Sequence, residues 1–291
     1  MANKEVILSA GSIQSPQILM LSGIGDKDEL EKHNIALQKH LPGVGKNLQE
    51  HVDSCILVRS KKRDGFTSSP MSMLKMLPDT LEYMLKKKGK LANSMLEAGA
   101  FLKSSDELSR PDIQLHMVPL LYDDNGRDIK LMGGHGYSCH ICVLRPESRG
   151  SIQLKSNNYL DDPIIDFNFL SDEQGKDRKV MIDGMRQVRK IMAAPAFDEY
   201  RIDEMHPGFE NESDESILAK AKERLGLVYH PVGTCKMGHD ELAVVDTALK
   251  VHGIEALRVI DASVMPTLTS GNTNAPTIAI AEKVAEMILA D

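Results

Sequence analysis

Lys4-Glu5-Val6-Ile7-Leu8-Ser9-Ala10 runs directly into Gly11-Ser12-Ile13-Gln14-Ser15-Pro16-Gln17-Ile18-Leu19-Met20-Leu21-Ser22-Gly23-Ile24-Gly25. The first seven residues are a short β-branched run stopped by a glycine, which predicts a buried strand. Ser15 has the chemistry of an N-cap, and Pro16 suits the first helical position, where a missing N–H costs nothing. A helix is therefore expected to carry Ile18, Leu19 and Leu21 and to stop at Ser22–Gly25. Strand, glycine turn and helix make a βα unit with no strand ahead of it, so the chain is expected to enter its fold in the middle.

The same texture returns at the far end. Leu257-Arg258-Val259-Ile260 predicts a strand ending in Asp261, followed by a Gly/Asn/Pro loop. A last helix is expected from Pro276 to about Leu289, buried through Ile280, Val284, Met287 and Ile288. Between the two ends the pattern differs. Val52–Arg59 predicts a strand, and Met71–Lys88 a helix broken at Pro78 and stopped by Gly89. Residues 112–169 are strand-rich, with alternation over Ile113–Val118 and Ser138–Leu144 and a further strand at Gly150–Leu154. Asp172–Ala194 is an amphipathic helix striped by Val180, Met181, Met185, Val188 and Ile191, and Ser213–Leu225 is another. The expected class is α+β: an antiparallel sheet with flanking helices, inserted between the two parts of a nucleotide-type domain. The expected divisions are 1–50, 51–225 and 226–291.

Composition narrows the function. The chain has 291 residues, 42% of them hydrophobic, enough to bury a core. A formal net charge of −7 and 4% aromatics with no tryptophan give no reason to bind a nucleic-acid backbone or stack bases. Four cysteines in this length are no disulfide framework. No apolar run approaches the ~20 residues that span a bilayer, and the first residues do not resemble a signal peptide. A cytoplasmic protein is expected.

Several motifs tempt a specific chemistry. Cys139-His140-Ile141-Cys142 has C-x-x-C spacing, but residues three apart on a strand face opposite ways, so no metal is expected. Lys86-Lys87-Lys88-Gly89-Lys90 suits a helix C-terminus. With Met71, Met73 and Met76 nearby, it also allows contact with a membrane surface. No G-x-G-x-x-G and no G-x-S-x-G occurs, which removes a serine-hydrolase nucleophile. His230 sits in Tyr229-His230-Pro231-Val232-Gly233-Thr234-Cys235-Lys236-Met237-Gly238, where a proline and a glycine build a stiff mount for a proton acceptor. Ser270-Gly271-Asn272-Thr273-Asn274-Ala275-Pro276-Thr277 opens the last helix, whose N–H groups favour negative charge. Taken singly, His230 also fits a structural histidine and the second loop ordinary capping.

Taken together, these stretches resemble the glucose-methanol-choline (GMC) oxidoreductases. Gly11–Gly25 is similar to the second signature of that family. Pro42-Gly43-Val44-Gly45-Lys46-Asn47-Leu48 with His51, Glu147-Ser148-Arg149-Gly150, the run Tyr229–Gly238, Asp261-Ala262-Ser263 and Gly271–Thr277 resemble its later landmarks in order. The nearest flavour is alcohol and choline dehydrogenases. The resemblance implies an FAD enzyme that oxidises a primary alcohol, or choline, to an aldehyde. It implies a Rossmann-like FAD-binding domain, here its C-terminal parts, and a substrate domain on an antiparallel sheet. It implies His230 as catalytic base and Asn272 as its partner across the substrate hydroxyl. Ala10, Gly11, Asp261, Ala262, Asn274, Pro276 and Thr277 would lie against FAD. The acceptor, oxygen or a quinone-type molecule, stays open. Family members carry a glycine fingerprint ahead of this region, so a C-terminal portion that does not hold FAD by itself is expected. A non-catalytic binding module and one half of a split enzyme are the alternatives.

Overall fold

The computed structural model describes residues 2–62, 66–67, 74–96, 98–123, 126 and 128–290. Twelve strands are named in chain order: β1 (Val6–Leu8), β2 (Ile24–Gly25), β3 (Lys39–His40), β4 (Val52–Ser60), β5 (Ala98–Leu102), β6 (Ile113–Val118), β7 (Gly136–Val143), β8 (Ser151–Gln153), β9 (Ile164–Asp166), β10 (Arg201–His206), β11 (Gly226–Leu227) and β12 (Leu257–Val259). The helices are α1 (Gly11–Leu21), α2 (Lys27–Lys32), α3 (Leu77–Lys86), α4 (Ile129–Met132), α5 (Lys176–Met192), α6 (Asp214–Glu223) and α7 (Asn274–Ala290). The chain forms two compact units. One comprises Met1–His51, Arg145–Asp177 and Tyr229–Asp291, the other Val52–Leu144 and Arg178–Val228. The expected middle division, 51–225, differs from this by His51, by residues 226–228 and, chiefly, by Arg145–Asp177. Its β8–β9 hairpin is bonded into the first unit through Leu48–Gly150 and through Ile152 N–H to Gly45 O.

In the first unit the two chain ends meet. β1 pairs in parallel with β12, Ile7 opposite Arg258. The core gathers Leu19, Met20, Leu30, Val44, Leu48, Ile152, Val244, Val259 and Val284 from all three segments. α1 begins four residues before the expected cap. Gly11 takes φ +82°, and Ser15 does not cap the helix. Its hydroxyl accepts from Ala10 N–H at 3.1 Å and donates to Asp261 Oδ2 at 2.5 Å. Pro16 lies inside the helix and leaves the Ser12 carbonyl without its i+4 N–H. The Thr234 hydroxyl fills that gap at 2.6 Å. α7 likewise starts at Asn274, two residues early.

The second unit is built on an antiparallel sheet of order β10-β4-β7-β6-β5, with β11 also paired to β4. One face carries Ile56, Ile113, Leu115 and Ile141 towards α5, where Met181, Met185 and Val188 are buried. A Cβ at Gly184 would lie 2.6 Å from Ile141 Cγ2, so the glycine permits this close approach. The other face is polar and holds Asp53, Cys55, Gln114, His116, His140 and Cys142. There His140 Nδ1 meets Asp53 Oδ2 at 2.6 Å and its Nε2 donates to Tyr122 O at 3.1 Å. Burial pushes His140 down, but the Asp53 charge and hydrogen bond outweigh it, and the imidazole holds its proton to higher pH than usual. Cys142 bonds Asp53, whereas Cys139 Sγ lies 4.0 Å from His140 O. The four cysteines are buried and form no disulfide, and burial pushes the Cys139 thiol up to about 12.

Leu74 and Lys75 are helical, the chain turns at Met76, and α3 follows with Pro78 at its second position, so the expected interruption falls just ahead of the proline; Lys87 in the left-handed region ends α3. The expected start at Met71 and the residues Met71 and Met73 lie outside the described residues. Leu77, Leu81, Met84 and Leu85 are exposed. No described helix is long and apolar enough to cross a membrane.

His206 on β10 makes a pH prediction. Burial, then the Arg224 charge, lowers it to about 4, and its Nε2 has no partner. Between pH ~6.5 and 4 the unfolded chain binds a proton that the folded chain refuses. Stability therefore falls as pH falls through that window, by up to about 1.4 kcal/mol per pH unit from this group. Chemical denaturation of wild type and His206→Leu at pH 7, 5.5 and 4.5 should show a flatter acid limb in the variant. Parallel limbs would refute the assignment.

Candidate active site

The site lies within the first unit and is built on three loops. The strip Asn47–His51 leaves a turn in which Asn47 takes φ +62°. It runs beside the loop 229–234, with Gln49 N–H donating to Val232 O at 3.0 Å and Val232 N–H to Gln49 O at 2.9 Å. Gly233 takes φ +93°, and a Cβ there would lie 2.6 Å from Asn47 O, so only glycine lets the two segments meet. The same strip holds the third loop. Leu268 N–H donates to Gln49 Oε1 at 3.1 Å, and Gln49 Nε2 donates to Pro266 O at 3.2 Å.

This framework brings four side chains together. His230 is buried, and its backbone N–H donates to both Glu50 oxygens, at 2.9 and 2.7 Å. Glu50 also accepts from His51 N–H at 2.9 Å. The His51 and His230 rings stand edge to face with their Nδ1 atoms 2.9 Å apart. His51 Nε2 lies 3.0 Å from Thr269 O, and Asn272 Nδ2 lies 3.2 Å from His230 Nε2.

These bonds fix one tautomer for the neutral pair. A carbonyl only accepts, so His51 Nε2 carries its proton and His51 Nδ1 is an acceptor. His230 must then donate through Nδ1, which leaves the lone pair on His230 Nε2. That lone pair faces the Asn272 amide. A neutral imidazole presenting an unprotonated nitrogen beside an amide donor can take a proton from a hydroxyl and stabilise the oxygen left behind.

Sequence reasoning singled out His230 and Asn272, and the structure brings them together. It did not assign a role to Glu50 or His51. The available signal was the polar run Asn47-Leu48-Gln49-Glu50-His51 straight after a glycine turn. Glu50, His51 and His230 offer ligand atoms within 4.8 Å of one another, a spacing that could hold a metal. Their bonds already pair both Nδ1 atoms with each other and the carboxylate with N–H groups.

The residues expected against FAD divide into two places. Ala10 and Gly11 open α1. Gly11 N–H donates to Asp261 Oδ2 at 2.9 Å, and a Cβ on Gly11 would meet nothing within 4 Å. Asp261 is committed to the chain through Gly11, Ser15 and the Ser263 N–H, so it braces the glycine turn. Ala262 packs against the buried group Val232, Met265 and Leu268. At the head of α7, Asn274 is exposed and Pro276 half-buried, and the Thr277 hydroxyl donates to Thr273 O at 2.7 Å. At the first place, Ser12 Oγ, next to Gly11 in the chain, is buried without a partner. An open α-carbon, an unsatisfied buried hydroxyl and the N-terminus of a 17-residue helix fit an anionic cofactor.

Comparison with known proteins decides the family. Residues 1–53 match the family model for the N-terminal part of a GMC oxidoreductase and residues 146–281 that for the C-terminal part. The chain belongs to the GMC oxidoreductase family. It is 47% identical over 285 residues to the alcohol dehydrogenase [acceptor] of Pseudomonas putida, covering 98% of this chain and 51% of that protein. It is 41% identical over 293 residues to the oxygen-dependent choline dehydrogenase of Escherichia coli K12, covering 99% and 51%. Among solved structures it is similar to pyridoxine 4-oxidase from Mesorbium loti, with a TM-score of 0.83, 27% identity and coverage of 99% and 52%. It is also similar to the formate oxidase of Aspergillus oryzae RIB40, studied for its FAD modification, with a TM-score of 0.86, 27% identity and coverage of 100% and 55%. The GMC chain described here spans about half the length of these relatives.

Proposed function

We propose that this GMC chain carries the substrate-activating residues of an FAD-dependent enzyme that oxidises a primary alcohol, or choline, to an aldehyde. The observation that carries the reading is the hydrogen-bonded series Thr269–His51–His230–Asn272, which leaves the His230 Nε2 lone pair beside an amide donor. FAD, when bound, supplies the hydride acceptor. His230 Nε2 takes the hydroxyl proton, and the Asn272 amide turns from His230 to the developing alkoxide oxygen. His51 keeps the receiving nitrogen unprotonated beforehand. Gly11 and Ser12 at one place, and Asn274 and the first turn of α7 at the other, would hold the cofactor. Asp261 and Ala262 support the first place, and Pro276 and Thr277 shape the second. Under this reading the first unit is part of the FAD-binding domain and the sheet unit is the substrate domain.

The sequence lacks a G-x-G-x-x-G to cradle a dinucleotide diphosphate, and on this ground the chain by itself holds FAD weakly. Location at the cytoplasmic face of a membrane belongs to the same reading. α3 turns Leu77, Leu81, Met84 and Leu85 outward beside Lys86, Lys87, Lys88 and Lys90, a composition that suits an anionic surface.

Absorbance after incubation with FAD and desalting tests the proposal. The chain alone should emerge colourless. The chain joined to the N-terminal half of the Pseudomonas putida relative should retain flavin and bleach on anaerobic addition of a primary alcohol or choline. Retained flavin that no such alcohol bleaches would sink the reading.

A further inference from the structure

We propose that Glu50 is a positioning residue of this site, whose buried carboxylate holds the His230 main chain and supplies the counter-charge for the proton that the His51–His230 pair takes up. The proposal rests on the reading of His230 as proton acceptor and adds the group that makes acceptance favourable. When Nε2 of His230 is protonated, its Nδ1–H still donates to His51, so the positive charge is shared by two rings largely withdrawn from water. His51 is fully buried and His230 nearly so. A buried cation is costly unless an opposite charge stands close. Glu50, itself 2% exposed, places a carboxylate oxygen within 4.8 Å of a ring nitrogen of each histidine. At that spacing an opposite charge favours the protonated pair.

The carboxylate's bonds support the assignment. It accepts from His51 N–H and, through both oxygens, from His230 N–H, bonds that suit an ionised carboxyl. Holding the loop does not by itself need this side chain. The two Gln49–Val232 backbone bonds and Asn47 Nδ2 donating to Gly233 O at 3.1 Å already fasten the same loop. Two cationic groups are also tied to these loops. Arg145 donates to Ser270 Oγ at 3.4 Å, and Arg149 Nε donates to Asn47 Oδ1 at 3.1 Å. Both oppose a proton on His230, which Glu50 offsets.

NMR titration of the isotope-labelled full chain between pH 5 and 9 tests this, reading the His230 ring nitrogens and the Glu50 carboxyl carbon. Glu50→Gln, which keeps the size and one acceptor oxygen, should weaken His230 proton binding by about tenfold, so that uptake moves to lower pH. Glu50→Asp, which keeps the charge, should restore most of that affinity. Equal titration in wild type and Glu50→Gln would overturn the proposal, and so would equal shifts in the Gln and Asp variants. Should Glu50→Gln fail to fold, the wild-type carboxyl signal decides. An ionised carboxyl while His230 takes its proton is expected, and a protonated one at neutral pH would refute the assignment. The titration reads the imidazoles and not turnover, so its failure is distinguishable from failure of the alcohol-oxidation reading.

Discussion

Replacing His230 with alanine in a flavin-loaded enzyme containing this chain should lower kcat about 10²–10⁴-fold, the usual share of a positioned general base. The physical reason is the single lone pair on Nε2. Its neighbours cannot substitute for it: Asn272 offers an amide that donates, and the His51 nitrogen nearest the site is committed to the pair, with its other nitrogen on Thr269 O. The loss should be smaller at high pH, where hydroxide or a partly ionised alcohol needs less help. Steady-state kinetics with a primary alcohol across pH 6–10 would show this. A loss below about threefold, or one independent of pH, would remove His230 as the base.

The largest expected effect on stability lies in the sheet unit. Arg189 on α5 clasps Glu204 of β10 through Nε at 3.0 Å and Nη2 at 2.7 Å. The same guanidinium donates to Gly208 O at 2.7 Å and Asn211 O at 2.5 Å. The Glu204 side chain is 2% exposed. Arg189→Met keeps the apolar stem but strands a buried carboxylate and two carbonyls, which should cost about 3–5 kcal/mol. The midpoint of thermal unfolding should fall by about 10 °C. Arg189→Met with Glu204→Leu should recover part of the loss, because no buried charge is then left unpaired, while the Gly208 and Asn211 carbonyls still lack their donor. A single variant that melts within two degrees of wild type would mean that water reaches the pair.

Much of the fold was legible because periodic patterns answer to local rules. The stripe Val180, Met181, Met185 and Val188 predicted a helix and its buried face, and alternation over Ile113–Val118 predicted a strand. Element starts were less legible wherever a distant partner replaced a local one. Ser15 looked like a cap, yet its hydroxyl belongs to Asp261, 246 residues away. Pro16 looked like a helix start, yet Thr234 satisfies the carbonyl it frees, so the helix tolerates it inside. Ile191 belonged to the predicted stripe but is 41% exposed, because the buried stripe passes from Val188 to Met192, four residues on, and leaves Ile191 beside it.

The sequence by itself determined the family and the chemical types at the site: an imidazole on a proline-stiffened loop and an amide ahead of a helix N-terminus. Motif residues a few positions apart carry that information locally. The tertiary structure alone decided which nitrogen of His230 is unprotonated and what sets it. His51 and Glu50 reach His230 across 179 and 180 residues of chain. A tautomer depends on the partner of the opposite ring nitrogen, and a counter-charge acts through space, so neither leaves a periodicity or a spacing to read.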